Sequence, residues 1–169
     1  MKADLHVHTL YSYDGSSSPQ EIVNAAIERH IHCLCITDHG EIKGAIEAIR
    51  FSLDKNILII PGIEVKSKEG DILGINIKKK IRNGLSAKET IEEIRKQGAI
   101  AVIAHPFAFP QSYKGFTGNM TELFKENPGY LVDGIEVLNA SVFGPANQKA
   151  FELAQKFSLP FTAGSDAHN

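Results

Sequence analysis

Short apolar runs alternate along the chain with longer segments whose apolar residues recur every three or four positions. The first pattern is typical of buried strands and the second of amphipathic helices. Because strands alternate with helices, the sequence predicts βα units around a mainly parallel sheet. The predicted strands cover residues 4–9, 33–39, 57–65, 72–77, 99–105, 134–139 and 161–169, and the predicted helices cover residues 19–30, 42–54, 86–97, 120–126 and 146–157.

Local signals define several of these boundaries. Ser86 followed three residues later by Glu89 forms a capping box, and Gly98 lies where the helix that it opens should end. The strands at 57–65 and 72–77 are separated only by a turn-like segment. They therefore predict a hairpin within an otherwise parallel sheet.

The first strand carries the most informative polar pattern. Asp4, His6 and His8 alternate with Leu5 and Val7, which predicts the polar side chains on one face and the apolar ones in a core. Two imidazoles beside a carboxylate can hold a divalent ion. Asp4 is interpreted as an orienting partner for a histidine rather than as a ligand.

Acidic and imidazole residues recur where the later strands end. In a parallel sheet these ends lie at one edge, and a barrel brings that edge into a ring. The number of donors exceeds the four to six that one ion needs, which predicts a site for two or three metal ions. The residues at the strand ends are His6, His8, His39, Glu64, His105, Glu136, Asp166 and His168.

Composition narrows the class of protein further. A chain of 169 residues with 43% hydrophobic and 22% charged residues predicts one globular domain. The net charge of -2 gives no general reason to bind nucleic acid or an anionic membrane, and no apolar run is long enough to span a bilayer. Cys33 and Cys35 read as reduced core residues, so we expect a cytoplasmic protein.

Five ordered motifs carry a resemblance to a known family. "DLHVHT", "ITDHG", "GIEV", "AHPF" and "GSDAH" extend from residue 4 to the end of the chain and resemble the motifs of the PHP (polymerase and histidinol phosphatase) family. The segment "YSYDGSSSP" is similar to a loop of the small stand-alone PHP phosphoesterases. The resemblance implies an α/β fold, a distorted (β/α)7-type TIM-like barrel formed by residues 1–169 as a single PHP domain.

The resemblance also implies a ligand set for zinc, manganese or iron. Glu64 would bridge two ions, the second of which is helped by His105. Many relatives carry a histidine where this sequence has Asp71, which is a weaker candidate ligand. The implied metal ligands are His6, His8, Glu64 and Asp166 for one ion, and Asp14, His39 and His168 for a third.

Hydrolysis of a phosphate ester is the implied reaction, with a metal-activated water as nucleophile. His6, His8, Glu64 and Asp166 would act through the metal ions. Lys66, Lys114 and Ser165 are substrate-binding candidates by their position in rim loops. The expected substrate is a small phosphorylated metabolite, a nucleotide or the end of an oligonucleotide, and no membrane partner is expected.

Two other functions remain open at this point. One is histidinol-phosphate phosphatase, although that branch usually has a longer chain. The other is a non-catalytic PHP module with a structural or binding role, although such modules usually lose several ligands. The chain ends one residue after "GSDAH", before the last strand and helix of most relatives, which fits either a barrel lacking its last βα unit or a longer native protein.

Some residues invite a functional reading that the pattern does not support. His30 and His32 form a second His-x-His motif, but they lie between the first helix and the second strand, at the opposite end of the predicted barrel. We therefore assign them no metal. Glu136 and Asn139 either orient metal ligands or, in the case of Glu136, pair with a lysine.

Overall fold

A computed structural model describes residues 1–108 and 132–169 of the chain. Within them, seven strands and four helices alternate nearly as the sequence predicts. The elements are β1 (Ala3–Val7), α1 (Pro19–Glu28), β2 (Cys33–Ile36), α2 (Lys43–Ser52), β3 (Leu58–Lys66), β4 (Asp71–Ile75), α3 (Ala87–Arg95), β5 (Ile100–Ile103), β6 (Gly134–Asn139), α4 (Gly144–Lys156) and β7 (Phe161–Gly164).

The strands lie in sequence order around a nearly closed barrel. All neighbouring pairs are parallel except those of β4, which runs antiparallel to β3 and to β5. The predicted hairpin is thus confirmed. The ring is joined after β7, where Asp166 N–H donates to His6 O over 2.8 Å and His8 N–H donates to Ala167 O over 2.9 Å.

Two kinds of apolar layer surround the sheet. The outer layers lie between the strands and the helices; Val7 packs there against α1 and α2, and Ile63 packs in a second outer cluster with α3. A smaller cluster around Cys35, Leu73 and Val102 fills the barrel interior. The polar site therefore lies above an apolar interior layer, whose close packing holds the side chains of the site in place.

Helix ends follow their capping signals. Ser86 and Glu89 form the predicted capping box at α3, and Ser18 with Glu21 forms another at α1. Gly98 has a φ of 72°, a left-handed conformation that glycine adopts without strain. These contacts place the helices at fixed points of the chain and so fix where each following strand begins.

The alternation predicted for the first strand is wrong in one respect. Leu5 packs in the interior cluster, whereas Val7 packs in the outer layer, because the register of β1 against β2 shifts between Asp4 and Val7. Asp4 does not orient an imidazole. Its carboxylate accepts from the backbone N–H groups of His6 and Ser165.

Two expectations fall on residues 109–131, outside the described ranges. They are the short helix at 120–126 and the substrate candidate Lys114. Among the described helices, none has both the length and the apolar character needed to cross a membrane. Cys33 and Cys35 are buried and free, as predicted.

Candidate metal centre

Residues from several strand ends and loops meet at the carboxyl-terminal rim of the barrel. β1 supplies His6 and leads into His8, the bend after β7 supplies Asp166, and β3 supplies Glu64. All four side chains are buried. The barrel thus assembles charged groups that are distant in sequence into a pocket largely removed from water.

Four donor atoms form a compact cage. His6 Nε2 lies 3.1 Å from His8 Nε2, 3.3 Å from Glu64 Oε2 and 3.2 Å from Asp166 Oδ1. His8 Nε2 lies 3.2 Å from each of the same two carboxylate oxygens. A tetrahedral ion with bonds of about 2.0–2.1 Å holds its ligands about 3.3–3.4 Å apart. The spacing and the mixed nitrogen and oxygen donors fit a divalent metal.

Glu136 determines which nitrogen of His6 faces this cage. Its carboxylate accepts from His6 Nδ1 at 3.0 Å and from the backbone N–H of His105 at 2.9 Å. The carboxylate therefore leaves Nε2 of His6 as the donor toward the cage. Of the two roles considered for Glu136, orientation of ligands is the one that the contacts match. Asn139, which bonds to Glu136 and to Asp166, joins the same network.

Two further groups of donors adjoin the cage. Glu64, Asp71 and His105 form one, and His8, Asp14, His39 and His168 form the other; within each, one ligand atom per residue lies within 4.8 Å of the rest. Glu64 Oε1 lies 3.1 Å from His105 Nε2, and Asp14 lies 3.4 Å from both His39 and His168. Glu64 and His8 each belong to two groups.

Protonation of the buried pair reflects its acidic surroundings. Burial lowers the pKa of His8, but hydrogen bonds to Asp166 and Glu64 outweigh it and raise the pKa to about 9. Burial likewise opposes the charge of His6, whose pKa is nevertheless raised by Glu136 and Glu64. Carboxylates that favour a charged imidazole would equally favour a bound cation at the same place.

Asp71 differs from the other carboxylates of the site. Burial and the charge of Glu64 raise the pKa of Asp71 to about 7. For Glu64, by contrast, burial is outweighed by the charge of His6 and by bonds to His105, and the pKa lies well below its usual range. A positive ion next to Asp71 would relieve its repulsion with Glu64.

Small residues on the inner face make room for the ligands. A Cβ on Gly164 would lie 2.4 Å from His6 Cβ, and a Cβ on Gly62 would lie 2.6 Å from Cys35 Sγ. Both distances are below normal contact. The glycines on β7, which leads to Asp166, and on β3, which carries Glu64, therefore let these strands pass close to their neighbours.

Two residues of the rim have an unusual backbone conformation. His105 and Asp166 have φ values of 24° and 55°, which non-glycine residues rarely adopt. Each lies in the bend that follows its strand. Such bends aim the side chains of His105 and Asp166 inward instead of along the strand.

The structure places the proposed substrate residues at different distances from this chemistry. Lys66 lies opposite Asp71 in the β3 and β4 ladder, so both side chains leave the sheet on the face of Glu64. Ser165 is engaged in the bend, where its hydroxyl is the acceptor for Ala167 N–H and lies 3.4 Å from His6 O. Lys66 is therefore the better placed of the two.

Two buried polar residues in the site were not predicted. Ser12 bonds to His8, and Asp38 bonds to Ser12 and Thr9. A sequence signal for them existed, because Asp38 precedes His39 at a strand end and Ser12 lies in the polar loop after the first motif. That signal did not indicate the roles of Ser12 and Asp38, because these roles depend on contacts across the barrel.

The fold and the site define a barrel protein with a metal-type centre of histidines and carboxylates at its rim. The model of the PHP domain matches residues 4–148, and a model described as PHP-associated matches residues 144–169. The chain belongs to the PHP domain family.

Relatives are found among proteins of different sizes. An uncharacterized protein of Methanocaldococcus jannaschii, MJ1587, is 33% identical over 150 residues, which cover 83% of this chain and 82% of the relative. The 5'-3' exoribonuclease Rnm of Salmonella typhimurium is 38% identical over 81 residues, covering 44% of this chain. That match spans only 27% of the exoribonuclease.

A solved structure has the same fold at low sequence identity. It comes from Bifidobacterium adolescentis and carries a provisional description as a metal-dependent phosphoesterase. The TM-score is 0.82 at 17% identity, with 100% of this chain and 88% of the other covered. This likeness confirms the PHP-type barrel.

Proposed function

We propose that this protein is a metal-dependent phosphoesterase that hydrolyses a phosphate ester of a small metabolite, a nucleotide or an oligonucleotide end. The observation that carries the proposal is the sharing of donors: Glu64 contributes to two groups of ligand atoms, and His8 contributes to two. Shared ligands would hold two or three ions close together. Adjacent ions suit a substrate whose several oxygens carry negative charge.

The donor set favours zinc, manganese or iron. The cage of His6, His8, Glu64 and Asp166 offers two nitrogens and two oxygens, which such metals accept, and the Asp71 group is richer in oxygen. When bound, the ions would lower the pKa of a water and neutralise charge on the phosphoryl oxygens.

The chain's own residues would orient the reaction. Glu64 would hold neighbouring ions in fixed relation, and Glu136 would keep His6 turned toward them. The ammonium of Lys66 leaves the sheet on the same face as Glu64, where it would attract a phosphate. Ser165 and Lys114 are retained as weaker candidates from the sequence. No side chain is required as a covalent nucleophile.

The rival hypothesis is a non-catalytic binding module. The completeness of three ligand groups favours an enzyme, because an inert module has no need for so many buried ionisable side chains. Similarity to an exoribonuclease supports including oligonucleotide ends among the substrates tested. A single domain over residues 1–169 and a cytoplasmic location stay predictions.

Metal content and turnover test the proposal together. We expect two or three equivalents of zinc, manganese or iron per chain by elemental analysis, and hydrolysis of an aryl phosphate that a chelator removes and added metal restores. A panel of nucleotides, sugar phosphates, histidinol phosphate and 5'-phosphorylated oligonucleotides would then rank the substrates. Metal binding without turnover of any of them would favour the binding module.

Lys66→Met tests the phosphate contact within the same assay. Removing the ammonium should raise KM about tenfold or more with a smaller change in kcat, since a charge-assisted hydrogen bond contributes about 1.5–3 kcal/mol. Lys68→Met, on an exposed neighbouring residue, is the control. Equal effects of the two variants would remove Lys66 from the site.

A further inference from the structure

Ser12 lies between a proposed metal ligand and a buried carboxylate. Its Oγ is 2.8 Å from His8 Nδ1 and 3.2 Å from Asp38 Oδ1. The backbone N–H of His39 donates to the same Oγ over 3.0 Å. Ser12 and Asp38 are buried, with 3% and 1% of their surfaces exposed, so water does not replace these contacts.

The chemistry of these groups fixes the direction of each hydrogen bond. A hydroxyl has one proton and two lone pairs. The Asp38 carboxylate only accepts, so it takes the Ser12 proton, and the N–H of His39 occupies one lone pair. The second lone pair faces His8, whose Nδ1 must then carry hydrogen. Nε2 of His8 is left to face Glu64 and Asp166.

Asp38 is held firmly enough to enforce this arrangement. It accepts from Thr9 N–H over 2.6 Å and from the Thr9 hydroxyl, which lies 2.8 Å from Oδ2. A Cβ on Gly44 would lie 2.0 Å from Oδ2, so the first turn of α2 closes over the carboxylate only because residue 44 is glycine. The backbone O of Asp38 also accepts from Glu64 N–H over 3.2 Å.

We propose that Ser12 and Asp38 are positioning residues that act as a relay, holding His8 with hydrogen on Nδ1 so that Nε2 is presented to metal. This inference rests on the proposed function in so far as His8 is a metal ligand. Glu136 orients His6 by a direct hydrogen bond, whereas the orienting contact of His8 is made through the hydroxyl of Ser12. The two histidines of one motif are thus oriented by carboxylates from opposite sides of the barrel.

Two variants distinguish the contribution of the Ser12 hydroxyl from that of the Asp38 charge. Ser12→Ala removes the acceptor of the Nδ1 proton and should weaken Zn²⁺ binding toward the upper end of the about 10–100-fold range typical of such partners. Asp38→Asn keeps an oxygen that accepts from Ser12 but removes the negative charge, so we expect a loss nearer tenfold. Affinity is measured by competition of Zn²⁺ with a chromophoric chelator.

Nuclear magnetic resonance of His8 gives a readout that does not need activity. The Nδ1 proton should be visible and slow to exchange in the wild type, both with Zn²⁺ and in the metal-free protein. It should exchange rapidly in Ser12→Ala. His8 is assigned from the signal that disappears in His8→Gln.

Controls come from structural residues away from the rim. Ser52→Ala removes a buried hydroxyl that donates to Ile49 O at the end of α2, and Asp133→Asn alters a carboxylate that pairs with Arg95 and accepts from Ala101 N–H. Both should bind Zn²⁺ as the wild type does. The relay is overturned if Ser12→Ala keeps a protected Nδ1 proton and full affinity, or if the controls lose as much affinity. A wild type that binds none of Zn²⁺, Mn²⁺ and Fe²⁺ would overturn the proposed function, while the exchange of the Nδ1 proton would still test the relay.

Discussion

The chain contains two His-x-His motifs, and only one of them lies in a metal-type site. His6 and His8 are fully buried at the carboxyl-terminal rim, within 3.3 Å of carboxylate oxygens. His30 and His32 are exposed between α1 and β2, and Nδ1 of His32 accepts from the backbone N–H of Lys2. The His-x-His spacing alone therefore does not indicate a metal site.

Position in the barrel makes the difference. The rim collects the ends of several strands, so a histidine there meets Glu64 and Asp166 although they are far away in sequence. At the opposite end of the barrel, the turn between α1 and β2 determines the conformation of His30. Among the described residues, none of the metal-type groups includes His30 or His32.

His8→Ala is the change that breaks the rim motif most completely. It removes a donor shared by two ligand groups, so turnover should fall by more than the about 100-fold that loss of an outer partner causes. Metal per chain should fall as well. Rates and elemental analysis on the same preparation check this, and circular dichroism should show that the fold is kept.

The matched control is the double variant His30→Ala with His32→Ala. It deletes the same spacing of imidazoles at the opposite end of the barrel, and we expect unchanged metal content and kcat. Full activity in His8→Ala, or loss of metal in the double variant, would contradict the contrast between the motifs.

Proton release on metal binding sharpens the comparison. His8, with its pKa raised to about 9, carries a proton at neutral pH that a metal ion must displace. The apparent Zn²⁺ affinity should therefore fall about tenfold for each unit that the pH decreases below 9, per proton displaced. In the metal-free protein, this group stabilises the fold fully below pH 6.5, and that contribution is lost as the pH rises through 9.

Calorimetry in buffers of different ionisation enthalpy measures the protons released. The wild type and the variant lacking His30 and His32 should release equal numbers at pH 7, and release should decline as the pH approaches 9. A release that does not change between pH 7 and 9.5 would show that the rim pair does not hold these protons.

Gly164→Ala tests how tightly the rim motif is enclosed. The added methyl would lie 2.4 Å from His6 Cβ and 3.0 Å from Glu136 Oε1, so we expect a loss of about 1–3 kcal/mol in the free energy of unfolding and weaker Zn²⁺ binding. Gly144→Ala is the control, because a Cβ there meets open space at the start of α4. Urea denaturation of the metal-free proteins provides the measurement, and equal stabilities would show that the strand can shift.

Patterns local in sequence gave most of the fold. Apolar periodicity and capping residues such as Ser86 and Glu89 predicted the strands, helices and hairpin, because these features depend on neighbours a few residues away. The shift within β1 was not predicted, since it depends on how β1 meets β2. It separates Leu5, in the interior cluster, from Val7, in the outer layer, whereas strict alternation predicted both in one core.

The candidate site likewise has a part that the sequence predicts and a part that it does not. Its candidate ligands follow from polar residues at strand ends and from the resemblance, and those within the described ranges lie together at the rim. The orienting contacts do not follow, because Ser12 and Asp38 are 26 residues apart and Glu136 is 130 residues from His6. Only the folded barrel determines which nitrogen of each histidine faces inward.

His30→Gly has the smallest expected effect and addresses why a histidine stands at the opposite end. His30 has a φ of 55° just after α1; its N–H donates to Ile27 O, and the next N–H, of Ile31, donates to Ala26 O. This is the pattern that ends a helix with a left-handed residue, a position where glycine is preferred. Gly98 occupies the left-handed position after α3.

Glycine at position 30 should therefore raise the free energy of unfolding by about 0.5–1 kcal/mol while leaving metal content and turnover unchanged. The reciprocal variant Gly98→Ala should lower it by a similar amount, because alanine resists positive φ. Urea denaturation of the metal-free proteins compares the two. A destabilised His30→Gly would mean that the imidazole of His30 makes a stabilising contact at the helix end, most simply with its negative dipole. In that case an electrostatic interaction would explain the histidine at position 30. A stabilised variant would instead show that His30 carries backbone strain that no chemistry at that end of the barrel requires.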